Sequence, residues 1–372
     1  MDKKKWIKHI PLFIVEVAVL LIAIGVLYVT LRATGEVKKD NLDENQIAVN
    51  EEVKQNIEGT TESNSEEETE ISSKYSGIYN IAFFGVDSRD ENLGKGNRSD
   101  TIMICSINMD SHEVRLVSIY RDTYLNIGND VYKKCNSAYA LGGPEQALGM
   151  INMNTDLYIT DYITVGFDGL VEAVDALGGI EMEVREEEIS HLNNYQISMV
   201  GTTTDGVNFT ATAGTDYIPV TTAGKQTLNG LQATAYCRIR YIGDDFERAE
   251  RQRNVLIAMM EKAKTASVGS LTEAVNAVLP HIRTSVDISD VIPMLGMVGD
   301  FKVTASDGFP FSGMRNGGTI GTEGACVVPT SLEDNVVKLH EVLFDDESYV
   351  PSKELKSFSV QVEADTKDYL LY

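Results

Sequence analysis

Residues 161–184 read DYITVGFDGLVEAVDALGGIEMEV. The order is strand, helix, a Gly178-Gly179 stop and a second strand, a βαβ-like unit. Upstream, YNIAFFGVD (79–87), TIMICSIN (101–108) and VRLVSIY (114–120) read as strands. MDSHE (109–113) reads as a tight hairpin connection between the second and third. PEQALGMINMN (144–154) has helical spacing. Downstream, residues 186–224 are polar and rich in Thr and Gly, the pattern of a long loop or hairpin excursion. TLNGLQATAYCRIRY (227–241) reads as a helix running into an extended end. RAERQRNVLIAMMEKAKTA (248–266) is amphipathic, with Val255, Met259 and Ala263 on one stripe. Further helices are expected near 271–281, 287–298 and 331–344, with a Gly-rich stretch of short strands between the last two. The fold class is α/β: a mixed central sheet covered by helices, over residues 77–372. Residues 300–372 are expected to complete the core and cover a sheet edge.

The N-terminus implies a location. Ile10 to Leu31 is almost unbroken apolar sequence, about 33 Å long as a helix and enough to cross a bilayer. Lys3, Lys4, Lys5 and Lys8 precede it, and acidic sequence follows Arg32. The positive-inside rule therefore leaves residues 1–9 in the cytoplasm, 10–32 as a single transmembrane helix, and the rest outside. A cleaved signal peptide is the rival, but no clean A-x-A site follows the run. Residues 33–76 are polar and Glu-rich and read as an extracytoplasmic stalk, with short helices near the membrane left open.

With 372 residues and a formal net charge of -24, the chain's acidic balance argues against a nucleic-acid binder, which needs a basic face. Cys105, Cys135, Cys237 and Cys326 form no CxxC and each lies in or beside an apolar stretch, so small buried residues are expected. The five histidines are scattered, with no HExxH, which disfavours a zinc hydrolase.

Against that acidic background, arginines gather at element ends. Asp87 ends the first strand, Arg98 and Asp100 precede the second, and Arg121 and Asp122 follow the third. If the first two strands are antiparallel neighbours, Asp87 and Asp100 share an edge, as a metal site or an acid/base pair. Adjacent arginines fit a phosphate held by guanidinium forks, with Mg²⁺ bridging it to the carboxylates. In RIRYIGDDFERAERQR (238–253), Arg238 and Arg240 are two apart in an extended stretch, and Asp244 or Asp245 can cap the next helix. Arg248 and Gln252 share a face near that helix's N-terminus, where the dipole favours an anion. Each Arg-Asp pair taken singly is an ordinary surface ion pair; their number points to a site.

GVDSR, NRSDTIMI, VSIYRDTYLNI, KKCNSAYALGG, VDALGGIEMEV, HLNNYQ, TLNGLQATAYCRIRY and DFERAERQRNVL follow one another from about residue 79 to 256. Together, and with the N-terminal anchor, this ordered set resembles the LytR-CpsA-Psr (LCP) family of bacterial cell-envelope phosphotransferases. The resemblance implies transfer of a glycopolymer from an undecaprenyl-pyrophosphate carrier to a peptidoglycan hydroxyl, forming a phosphodiester, with Mg²⁺ or Mn²⁺ at the pyrophosphate. It implies Asp87 and Asp100 as metal-associated acids, Arg98, Arg121, Arg238, Arg240, Arg248 and Gln252 as pyrophosphate binders, and Lys134 as the family lysine before NSAYA. Arg121 is the first choice for an essential residue, and Asp100 for a base or metal ligand. The chain departs from the family pattern at Tyr120, where proline is usual, at Cys135, where an aliphatic residue is usual, and at Glu247, where glycine is frequent. The identity of the polymer, teichoic acid, capsule or another glycan, stays open.

A lipid pyrophosphate also needs an apolar groove for its tail. Val165, Phe167, Leu170, Val174, Leu177, Leu256, Ile257 and Met260 can line one, or can be ordinary core. Two other functions use the same residues: a non-catalytic polyprenyl-phosphate-binding regulator or scaffold, and a lipid pyrophosphatase with water as acceptor.

Overall fold

The computed structural model describes residues 38–42, 47–58, 75–86, 92–203, 205–287 and 297–371. The transmembrane run 10–32, the tail 1–9, Asp87 and most of the expected helix 287–298 lie outside the described residues.

In chain order the elements are β1 (Lys38–Lys39), α1 (Glu51–Glu58), β2 (Ile78–Val86), β3 (Ser99–Asn108), β4 (Glu113–Ile119), β5 (Tyr124–Asn126), β6 (Tyr132–Lys134) and α2 (Ser137–Thr155). Then come β7 (Asp161–Val165), α3 (Phe167–Ala176), β8 (Ile180–Val184), α4 (Glu186–Val200), β9 (Thr202–Thr203), β10 (Phe209–Thr210) and β11 (Gly224–Leu228). The chain continues with α5 (Gly230–Cys237), α6 (Asp245–Thr265), α7 (Val268–Val278), β12 (Ile282–Thr284), β13 (Lys302–Phe309), β14 (Arg315–Ile320) and β15 (Gly324–Pro329). It ends with α8 (Leu332–Phe344), α9 (Lys353–Thr366) and β16 (Leu370–Leu371).

A mixed sheet runs in the order β1-β12-β7-β2-β3-β4-β13. The sequence expectation of antiparallel β2 and β3 holds, with Ile78 opposite Asn108 and Val86 opposite Ser99. Period-two alternation splits the side chains between two faces. Ala82, Phe84, Ile102, Ile104, Val117 and Ile119 meet α2, α8 and α9 through Tyr139, Leu148, Ile151, Leu339 and Phe358. On the opposite face, Met103, Cys105 and Leu116 meet Leu256, Ile257 and Met260 of α6. All four cysteines are buried free thiols.

Three sequence expectations change. Residues 161–184 form strand, helix and strand, but not a βαβ unit within one sheet. Both sides of β7 are occupied, by β2 and β12, so β8 leaves the main sheet and pairs antiparallel with β11. Its alternate residues Ile180, Met182 and Val184 bury into a second core with Leu192, Leu228, Ala235 and Val255. Second, the excursion after β8 opens with a full helix, α4, at whose start the Arg185 amide donates to the Glu188 carboxylate at 3.0 Å. Burial of Glu188, Leu192 and Gln196 holds it, and no composition signal shows that anchoring. Third, the segment read as stalk is partly docked. Ile47 is completely buried and Val53 nearly so. Asn152 donates to the Ile47 carbonyl at 3.1 Å, and Asp40 bonds the Tyr162 hydroxyl and Arg283. α9 was not foreseen; Leu355 and Phe358 carry it into the main core. β13 lies at a sheet edge beside β4, as expected for the C-terminal residues.

The docked segment gives a first prediction. Burying Ile47 and Val53 contributes about 1.5–3 kcal/mol each. Truncation at residue 75 therefore lowers unfolding free energy by about 3–6 kcal/mol against the full chain, read from urea denaturation.

Candidate functional site

The site forms where β2 and β3 end, where β4 turns into Arg121, and where α6 begins. Asp244 is the N-cap of α6, accepting from the Phe246 and Glu247 amides. That frees Asp245, the first helical residue, to face the cluster. Asp100 Oδ1 accepts from Arg121 Nη1 at 2.6 Å, and Oδ2 from Arg240 Nη2 at 2.7 Å. Arg248 Nη2 lies 2.8 Å from Asp245 Oδ1. Arg121 Nε stands 3.5 Å from Asp245 Oδ2 and 3.6 Å from Asp122 Oδ2, too far for a good hydrogen bond. Lys134 Nζ pairs with Asp122 Oδ1 at 3.1 Å.

The electrostatics follow from burial and charge. Burial opposes ionisation of Asp100, but the charge and hydrogen bond of Arg121, with the charges of Arg240 and Arg248, outweigh it and hold this carboxyl below its usual range. For Asp245 burial wins, and its carboxyl is raised despite Arg248 and Arg121. Burial likewise lowers the Arg248 guanidinium.

Three buried donors here have no acceptor: Arg121 Nε, Arg248 Nε and Arg248 Nη1. Leaving a buried donor unsatisfied costs about 1–3 kcal/mol. Guanidinium donors without acceptors at one point suit an anion with several oxygens, as phosphate has. They do not suit a bare cation. Among the described residues no group of three His, Cys, Asp or Glu side chains is placed to hold a metal ion. Mg²⁺ usually takes only one or two protein carboxylates plus substrate phosphate oxygens, so Asp100 fits a metal that arrives with the phosphate.

Beside the charges opens a cavity of about 200 Å³. Asp100, Arg238, Arg240, Arg248 and Gln252 stand on its wall, among apolar residues of β2, β3, α3 and α6. Arg238 lies over the Phe167 ring, 4.3 Å from its centroid. Of the expected groove residues, Val165, Phe167, Leu170 and Leu256 line this cavity. Val174 instead belongs to the second core, Leu177 is off the wall, and Ile257 and Met260 pack on the sheet face with Met103 and Cys105. The helix period explains the split. Ile257 is one residue, about 100° of helix, on from Leu256, which turns it out of the cavity. Arg98 is exposed and off the cavity wall, and Lys134 reaches the cluster only through Asp122.

Sequence reasoning missed Asp245 as more than a cap and missed Phe83, Met103, Tyr195 and Met259 of the wall. Asp245 carries a signal, since it stands three residues before Arg248 on one helix face. Tyr195 lies in the HLNNYQ motif, but the polar, Thr- and Gly-rich stretch around it reads as loop and gives its side chain no direction.

A family model described as the LytR_cpsA_psr family matches residues 42–319. The chain is 31% identical over 217 residues to the polyisoprenyl-teichoic acid–peptidoglycan teichoic acid transferase TagU of Enterococcus faecalis, covering 57% of this chain and 63% of that protein. The structure of TagT bound to LI-WTA superposes with a TM-score of 0.57 at 19% identity, over 73% of this chain and 92% of that one. A structure of the same protein with bound octaprenyl pyrophosphate lipid gives a TM-score of 0.52, also at 19% identity, over 73% and 92%. At that identity the likeness shows the fold.

Proposed function

Because the chain belongs to the LytR-CpsA-Psr family, we propose that it transfers a phosphoglycan from a polyprenyl pyrophosphate, undecaprenyl in the cell, to a peptidoglycan hydroxyl. The observation that carries the reading is the set of guanidinium donors of Arg121 and Arg248 that make no hydrogen bond, with Arg248 on the wall of an apolar cavity and Arg121 off that wall but bonded to its Asp100. The relative's printed name, a teichoic acid transferase, supports this class of donor and acceptor. The cavity's apolar wall takes the lipid, and the arginines take the pyrophosphate.

The muramic hydroxyl oxygen attacks the glycan-side phosphorus. The bond from that phosphorus to the bridging oxygen breaks, and polyprenyl monophosphate leaves with the bond's electron pair. The new phosphodiester joins glycan to peptidoglycan. Arg121, Arg240 and Arg248 hold the phosphoryl oxygens and stabilise the charge that develops on them. Asp100 stays ionised between its arginines and orients them. Asp245, beside Arg121 and Arg248, receives the hydroxyl proton. Mg²⁺ or Mn²⁺ held by Asp100, with Asp87, would neutralise phosphate charge when bound. Residues 10–32 anchor the protein as a single-pass helix, N-terminus in the cytoplasm, so that enzyme and lipid donor share one membrane plane.

The test uses the full chain with a lipid-pyrophosphate glycan and peptidoglycan oligomers in ¹⁸O-labelled water, with Mg²⁺ and with EDTA. The reading expects glycan joined to peptidoglycan without ¹⁸O, and loss of the product in EDTA. Phosphate products carrying ¹⁸O mean the lipid pyrophosphatase. Donor binding without turnover, across varied donors and acceptors, means the regulator or scaffold.

A further inference from the structure

Tyr120 and Phe246 are the immediate neighbours of two site residues, Arg121 and Asp245. Their rings meet edge to face, centroids 4.5 Å apart. Arg315, at the start of β14, lies against both. Its guanidinium carbon stands 3.7 Å from the Phe246 centroid and 4.9 Å from that of Tyr120. Its Nη1 donates to the Tyr120 hydroxyl at 3.3 Å and to the Pro310 carbonyl at 2.9 Å. A planar guanidinium stacked on one ring and bonded beyond it has its position fixed on several sides. About two turns beyond Phe246, Arg253 Nε ties α6 to Ser306 of β13 at 3.1 Å, on the same side of the helix.

The arrangement depends on this chain's own tyrosine. A Cβ on Gly308 would stand 2.0 Å from the Tyr120 hydroxyl oxygen, so only glycine at 308 leaves room for the phenol. Proline at position 120 would offer neither the ring that meets Phe246 nor the hydroxyl that meets Arg315.

We propose that Arg315 is a positioning residue, a clamp that joins Tyr120 to Phe246 and so sets the distance between Arg121 at the end of β4 and Asp245 at the start of α6. It touches none of the reacting groups. Its effect is on the separation of Arg121 Nε from Asp245 Oδ2, now 3.5 Å. Misplacing catalytic groups by about 1 Å costs up to about 100-fold in rate. The proposal rests on the transferase reading, and its test separates the two.

The full chain in detergent micelles is compared with Arg315→Met and Arg315→Lys. Turnover is taken per folded molecule, from each variant's unfolding curve. Arg315→Met is expected to lower kcat about tenfold or more with KM changed less than about twofold, and Arg315→Lys, which keeps the charge, to recover part of it. The ¹⁵N resonance of Arg121 Nε, identified by its loss in Arg121→Lys, is expected to move in Arg315→Met. An unchanged kcat per folded molecule, or an unmoved Arg121 resonance, overturns the clamp. A wild-type chain without transfer sinks the transferase reading instead, and the resonance then decides the clamp alone.

Discussion

Arg121→Ala lowers kcat/KM for glycan transfer by about 10²–10³-fold, while the protein stays folded. Arg121 holds one Asp100 oxygen at 2.6 Å, and its buried Nε makes no hydrogen bond, with the nearest carboxylate oxygen at 3.5 Å. When a pyrophosphate enters, that donor gains a charge-assisted partner, and the gain grows as charge builds on the oxygens during transfer. Alanine removes both. Asp100 keeps Arg240 at 2.7 Å, so its charge is still compensated and the fold survives. Lysine restores charge but not the fork, and recovers only part of the rate. Steady-state kinetics with circular dichroism on the same samples checks both halves.

Among single substitutions, Glu188→Ala has the largest expected effect on stability. Glu188 is completely buried and meets Arg251 Nε and Arg185 Nη2, each at 2.9 Å. Arg251 is itself buried and bonds the Ile239 carbonyl at 3.2 Å, so the pair ties α4 to α6 and to the irregular stretch after α5 that carries Arg240. Arg251 keeps the Glu247 carboxylate at 3.1 Å, but its buried Nε loses its acceptor and two charge-assisted hydrogen bonds go, which costs about 3–5 kcal/mol. Burial alone would raise the Glu188 carboxyl, but hydrogen bonds from Arg185 and Arg251 outweigh it, so its folded value is depressed. A depressed carboxyl contributes stability above its unfolded value, about 4.3 for glutamate, and loses it as pH falls through the folded value. Urea denaturation at pH 7 therefore separates wild type from variant by the full amount, and the gap narrows as pH falls below about 4.

Most of the site was legible because its chemistry is local in sequence. Arg238, Arg240, Arg248 and Gln252 lie within 15 residues and all reach one cavity wall. Asp100 and Arg121 come from distant positions, but each sits where an apolar strand stops, and antiparallel pairing of β2, β3 and β4 does the rest. What was illegible depends on long-range packing. The main sheet has no room for β8 once β12, from residues 282–284, has paired with β7. Nothing in 161–184 shows that. α4 looks like loop because its composition is polar, yet it is held by Arg251, sixty-three residues on from Glu188. The acidic stretch before residue 76 hides Ile47, one apolar side chain that a composition average erases. Arg98 sits in a matching motif, and the bend before β3 leaves it exposed and off the cavity wall.

The most direct test of the central claim follows the phosphorus. Full-length chain is incubated with a polyprenyl-pyrophosphate glycan carrying ³²P at the glycan-side phosphate, together with peptidoglycan oligomers. The account predicts label in a peptidoglycan phosphodiester in equal amount to released polyprenyl monophosphate, and both products formed about 10²–10³-fold more slowly with Arg121→Ala. Polyprenyl monophosphate released with no label in peptidoglycan, or label transferred as well by Arg121→Ala as by wild type, would contradict it.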